Sequence, residues 1–234
     1  MNKKEFVEHL KKLKIDVSND QLLKLDKYYK MLKDWNNNIN LTRIIEENEV
    51  YLKHFYDSLT IVKVIDLNQI NELCDVGTGA GFPGLILKIF FPELNITLIE
   101  SQTKKTKFLN EVIKVLKLKK VNVVNDRVEN YAKKNKGFFD IIIVRALSQL
   151  PIIIELCIPL LKINGCLIAM KGKINGEIIN SVNALKMLNS KIVKVEKFKL
   201  PINNNERSLI VIKKNKTTNS KYPRFFTKIK KNPL

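Results

Sequence analysis

The sequence predicts an α/β protein: a mostly parallel sheet with helices on both faces, an antiparallel terminal strand, and an N-terminal helical extension. Three observations predict it. From residue 72 onward, apolar strand patterns alternate with helical ones. The run Ile141-Ile142-Ile143-Val144 is apolar at consecutive positions, so both of its faces are buried, as in a parallel sheet covered on each side. A turn with four glycines in eight residues (Gly77, Gly79, Gly81 and Gly84) separates the first strand pattern from the next helix pattern, so backbone there must pass close to something.

The first 65 residues read as helical. Ser18 and Gln21 form a capping box. Leu22, Leu25, Tyr29, Leu32 and Trp35 follow at helical spacing, with Tyr29 and Trp35 read as core. Asn36-Asn37-Asn38 ends that helix, and a further helix is expected from about 46 to 65. Strand patterns then fall at 73–76, 96–100, 121–124, 140–144 and 166–170, with helical patterns at 83–91, 104–117, 127–134 and 150–161 between them. A helix over 176–188 leads to strand patterns at 192–193 and 208–212, an antiparallel hairpin turned by Asn203-Asn204-Asn205. The end of the chain reads as a mobile basic tail. The chain divides into a helical extension (1–66), a ligand-binding domain (67–214) and the tail (215–234).

Composition bounds the function. The chain has 234 residues, 45% of them hydrophobic, enough for a real core. No apolar run approaches the roughly 20 residues of a membrane span. Cys74, Cys157 and Cys166 lie in apolar surroundings without metal spacing and read as reduced core residues of a cytoplasmic protein. No exposed apolar face points beyond a monomer. The net charge of +19 favours a polyanionic partner. Composition drift toward Lys, Asn and Ile competes with that reading, but the charge is uneven. Residues 213–234 hold eight basic residues and no acid, and 104–120 hold seven lysines against Glu111 alone. Of 42 lysines and arginines only five are arginine, so a retained arginine points to a need for its planar fork. Arg127 and Arg145 both fall at strand ends.

Glu100 closes the second strand pattern. A glycine turn after the first strand and a carboxylate at the tip of the second describe a nucleoside pocket, the carboxylate accepting from ribose hydroxyls. A dinucleotide fingerprint starting at Gly77 would put Phe82 where its third glycine belongs; the match from Gly79 starts two residues late. Asp75 with Gly77-x-Gly79-x-Gly81 instead looks like the first motif of S-adenosylmethionine (SAM) methyltransferases, and the antiparallel final strand agrees with the SAM-dependent methyltransferase fold. Ligands of such sheets bind beyond the carboxyl ends of the strands, here Gly77 to Gly81, Glu100, Asp126 to Glu129 and Arg145. Backbone at Val128 and Glu129 is placed to meet an adenine edge. Arg145 stands where a methyl acceptor approaches, or in an ion pair with Asp75 or Glu129. Arg145-Ala146-Leu147-Ser148 replaces the Pro-Pro motif of exocyclic-amine methylation, and Cys157 is too apolar in setting for a thiolate nucleophile. What remains is an acceptor with its own lone pair, such as guanine N7, which needs alignment and no general base. No catalytic base and no metal are therefore expected. An RNA-binding ribosome-assembly factor with a SAM pocket and an NAD(P)-linked oxidoreductase are the alternatives.

The same residues resemble the RsmG (GidB) family of bacterial 16S rRNA guanine-N7 methyltransferases. The resemblance rests on Trp35-Asn36, Asn40-Leu41-Thr42, His54, Asp57-Ser58, Asp75 through Gly84, Lys104, Phe108-Leu109, Arg127-Val128-Glu129, Asp140, Val144-Arg145-Ala146, Lys171-Gly172 and Arg207-Ser208-Leu209. It implies methyl transfer from SAM to a guanine in the 530 loop of 16S rRNA, on the rRNA or a small-subunit precursor. Carried over by position, Gly77, Phe82, Val128, Glu129 and Arg145 would contact SAM. The family usually has Arg where Lys53 stands and often Lys-Arg at Lys104-Lys105; both departures keep charge but lose a fork. His54 is either a structural histidine capped by Asp57 or a contact near the acceptor.

Overall fold

The computed structural model describes residues 1–234. Helices α1 (Lys3–Lys12) and α2 (Asn19–Asn36) each begin with a reciprocal capping box, Asn2 with Glu5 and Ser18 with Gln21. The next helical stretch is not uniform. It runs through α3 (Glu47–Val50), a π-helical segment (Tyr51–Tyr56), α4 (Asp57–Leu59) and a 3-10 turn (Thr60–Lys63). Five residues of the π-helical segment (Tyr51, Leu52, His54, Phe55 and Tyr56) are buried, more than a regular α-helix turns to one side. π-segments of this kind recur at functional sites.

The sheet contains β1 (Glu72–Val76), β2 (Asn95–Glu100), β3 (Val121–Asn125), β4 (Phe139–Arg145), β5 (Leu161–Lys171), β6 (Ser190–Lys199) and β7 (Glu206–Lys214), in the order β3-β2-β1-β4-β5-β7-β6. The first five strands pair in parallel. β7, last in the chain, is antiparallel to both neighbours and lies between β5 and β6. β6 is longer than its sequence pattern because it pairs with β7 along its length, from Ser190 to Lys199, and it forms an edge of the sheet. Lys191, Lys194, Lys197 and Lys199 interrupt its apolar run and leave it soluble as an edge.

Between the strands lie α5 (Gly84–Phe90), α6 (Thr103–Val115), α7 (Val128–Lys134) and α8 (Leu150–Cys157); α9 (Glu177–Asn180) and α10 (Val182–Met187) replace the single helix expected over 176–188. β4 shows the two-sided burial directly. Ile141 and Ile143 belong to one apolar cluster, Ile142 and Val144 to the other. Phe6, Leu10, Leu25, Tyr28 and Leu32 from the N-terminal helices share the first cluster with sheet residues, so that face of the sheet is closed by the extension itself.

The C-terminal segment is not a loose tail. Tyr222 and Ile229 are buried in the second cluster, and α11 (Phe226–Lys231) lies against α8. Arg224 donates to Glu155 from its backbone (3.1 Å), Nε (2.7 Å) and Nη2 (2.6 Å). Glu155 is fully buried, and a buried carboxylate is tolerated only when paired in this way. The basic composition concealed these few anchors.

Candidate active site

The glycine turn is clasped from below by Asp75. Its Oδ2 accepts the Thr78 hydroxyl (2.6 Å) and the Gly84 backbone N–H (2.8 Å). Burial pushes the Asp75 carboxyl up to about 6, and Oδ1 has no partner. Asp75 therefore shapes the turn from inside. Gly79 and Gly81 have φ of +61° and +96°, where a side chain is strained.

Two cavities flank the end of β4. The first, about 310 Å³, is bounded by the turn at Gly77 and Gly79, by Glu100, by Val128 and Glu129, and by Leu147. Glu100 has two jobs there: Oε2 accepts the Gly79 N–H (3.1 Å) and Oε1 the Gln102 N–H (2.9 Å). Glu129 accepts Arg127 Nε at 2.6 Å. A Cβ added to Gly79 would meet no protein atom within 4 Å, so the space reaches the bare backbone. That open backbone, the apolar Val128 and Leu147, and an acceptor at Glu100 suit a nucleoside cofactor.

The second cavity, also about 310 Å³, is lined by Lys53, His54, Asp57, Arg145, Lys171 and Arg207, among others. Asp57 is its hub. Arg207 Nε sits 3.1 and 3.0 Å from its two oxygens, and Arg145 Nη1 pairs with it at 3.8 Å. Arg145 also donates to the Lys53 carbonyl (3.1 Å) and to His54 Nδ1 (3.3 Å). Because a guanidinium has only donors, His54 Nδ1 accepts, and Nε2–H faces the Thr42 hydroxyl at 2.9 Å. Burial first, then the Arg145 charge, pulls His54 down to about 3, so the ring is neutral. Its cap is thus Thr42, not Asp57. The expected Arg145 partners, Asp75 and Glu129, give way to Asp57, because β4 carries Arg145 toward α4.

Gly77, Glu100, Val128 and Glu129 come together in the first cavity. Phe82 and Arg145 do not line it. Phe82, 5% exposed, packs behind the turn; its ring stacks on His54 (centroids 4.6 Å apart) and Tyr28 (5.4 Å), with the Arg145 guanidinium 5.5 Å from its centroid. Arg145 faces the second cavity. Ala146 lines both, with φ of +54°, a strained conformation for a residue with a Cβ.

The family model described as rRNA small subunit methyltransferase G (GidB) matches residues 21–210. The chain belongs to that family. Relatives include the ribosomal RNA small subunit methyltransferase G of Bacillus subtilis (strain 168), 42% identical over 227 residues and covering 96% of this chain and 95% of that protein. The Acetivibrio thermocellus protein of the same name is 44% identical over 226 residues, covering 94% and 91%. Among solved structures, TYW2 of M. jannaschii in complex with AdoMet superposes with a TM-score of 0.56 at 14% identity, covering 73% of this chain and 77% of that one. A SAM-dependent O-methyltransferase from Thermotoga maritima gives 0.52 at 14%, covering 80% and 72%. At such identities the likeness is one of fold.

In this methyltransferase G family member the sequence assigns no place in the site to Arg207, which enters only through the Arg207-Ser208-Leu209 resemblance, or to Phe226. Arg207 carried a signal, being one of five arginines in a lysine-rich chain. Phe226, on the wall of the first cavity, carried none.

Proposed function

We propose that this chain transfers a methyl group from SAM to N7 of a guanine in the 530 loop of 16S rRNA. The observation that carries the reading is the pair of cavities meeting at Ala146, one suited to a nucleoside and the other lined by cations around a single carboxylate. In this reading Gly77, Gly79, Val128 and Glu129 hold the cofactor, and Glu100 accepts from its ribose. Phe82 and Arg145 form the partition at the junction. SAM supplies a methyl group already activated by its sulfonium.

The protein's share is alignment. Guanine N7 has a lone pair and no proton to lose, so nothing in the second cavity needs to act as a base. In-line positioning alone can supply roughly 7–11 kcal/mol of the barrier. His54 stays neutral and fixes Arg145. Lys53, Lys171 and Arg207 attract the polyanion and its base. Asp57, held by Arg207, offsets the positive charge that passes to the guanine ring. We place the protein in the cytoplasm as a monomer, acting on the rRNA or a small-subunit precursor; no helix is long and apolar enough to cross a membrane.

The test is incubation with methyl-labelled SAM and unmethylated small-subunit rRNA, followed by reductive strand scission at N7-methylguanine. A single scission in the 530 loop is expected. SAM binding without label in RNA would return the assembly-factor reading, and nicotinamide binding without SAM affinity the oxidoreductase.

A further inference from the structure

We infer that Phe226 is a cofactor-contact residue: its ring forms the apolar wall on which the adenine of SAM stacks, and the C-terminal segment exists in part to hold it there. The inference rests on the first cavity being the cofactor site. Phe226 lines that cavity, which also has Val128 and Leu156 among its apolar residues and Glu100 among its polar ones. The flat aromatic face of adenine belongs against the apolar residues, and the ribose belongs at the carboxylate. An aromatic face stacks on such a ring without needing hydrogen bonds.

Phe226 is held on three sides. Two residues earlier, Arg224 is locked onto the fully buried Glu155. Three residues later, Ile229 is fully buried. The Arg127 guanidinium lies 4.7 Å from the Phe226 ring centroid and is itself held by Glu129. Phe226 packs against the second apolar cluster yet remains only partly buried, which leaves part of the residue on the cavity wall. Arg127 and Glu129 thereby acquire a second role, that of orienting the ring. The segment lies beyond residue 210, where the match to the family model stops.

The experiment is calorimetric titration of the full-length protein with SAM and, separately, with adenosine. Phe226→Leu keeps apolar bulk and removes the π-face; Phe226→Ala removes both; Phe226→Tyr keeps the ring. The anchors at Arg224 and Ile229 are untouched, and a thermal melt without ligand checks folding. Phe226→Leu should weaken both ligands about five- to tenfold, Phe226→Ala at least as much, and Phe226→Tyr little. Unchanged affinity in Phe226→Leu and Phe226→Ala, with a loss in Glu100→Ala, would overturn the inference and leave the cavity assignment standing. Unchanged affinity in all of them, Glu100→Ala included, would remove the cavity assignment as well. A loss for SAM without a loss for adenosine would move the contact off the adenine and also overturn it.

Discussion

Gly79→Ala and Gly81→Ala are the same chemical change two residues apart in one turn, yet they should fail in different ways. At Gly79 (φ +61°) the new Cβ meets no protein atom within 4 Å. The cost to folding is then only the left-handed strain, about 1–2 kcal/mol. At about 2–4 °C per kcal/mol for a chain of this size, the melting temperature should fall by about 2–8 °C. The methyl group occupies the space next to the backbone where the cofactor would lie, so SAM affinity should drop about tenfold or more, roughly 1.4 kcal/mol. At Gly81 (φ +96°) the Cβ would stand 2.5 Å from Tyr28 Oη and 2.6 Å from Leu85 Cδ1. Tyr28 has no room to move. It is fully buried, stacked on Phe82, and its hydroxyl donates to the Ala80 carbonyl. Overpacking of about 1–3 kcal/mol adds to strain of about 1–3 kcal/mol. That is a large part of a typical stability of about 5–15 kcal/mol. Thermal melts and calorimetric SAM titration on both variants decide the matter. A Gly79→Ala protein that binds SAM like the wild type refutes the close backbone approach. Equal melting temperatures for the two variants refute the Tyr28 constraint.

Glu100→Ala should weaken SAM binding by about 1.5–3 kcal/mol, the range for hydrogen bonds to a charged group, and unaltered affinity in calorimetry would remove Glu100 from the site. Asp75 carries a pH signature: its folded pKa, about 6, lies above its ordinary value of 3.8. The native state then holds the proton more tightly, so this carboxyl's contribution to stability is lost as pH rises from about 4 to 6. Relative to the wild type, Asp75→Asn should gain about 3 kcal/mol across that window in denaturant melts; parallel stability curves would contradict it. Lys228, Lys230 and Lys231 are exposed on α11, and changing all three to Gln should reduce the salt slope of RNA binding by about 2 while leaving SAM affinity unchanged. Deleting residues 216–234 is the wrong test of that charge, because it also removes the buried Tyr222 and Ile229 and the cavity wall at Phe226.

What was legible in the sequence was whatever a short window encodes. Ile141 to Val144 announced a strand buried on both faces, and β4 sends alternate residues into the two clusters. The glycine turn and Glu100 were legible as neighbours, because both sit at strand ends and the sheet brings those ends to the rim of one cavity. The Ser18–Gln21 capping box is a contact over three residues, and it formed as written. The change of pitch at Tyr51–Tyr56 was not legible, since periodicity over so few residues does not separate an α- from a π-helical turn.

The sequence by itself determined the sheet, the crossover helices, the turn and the charge, because strand burial, glycine geometry and net charge are local or additive. Only the tertiary structure decided which arginine meets which acid. Asp57 and Arg207 lie 150 residues apart and meet because β7 inserts beside β5, carrying Arg207 to the end of the sheet where α4 presents Asp57. Arg224 and Glu155 are 69 residues apart, and their pairing holds the basic C-terminal segment against the fold, with Phe226 on the wall of the first cavity. Pairings of this kind depend on through-space distances that no local pattern carries, which is why Arg145 found Asp57 and not the acids nearer its own strand end.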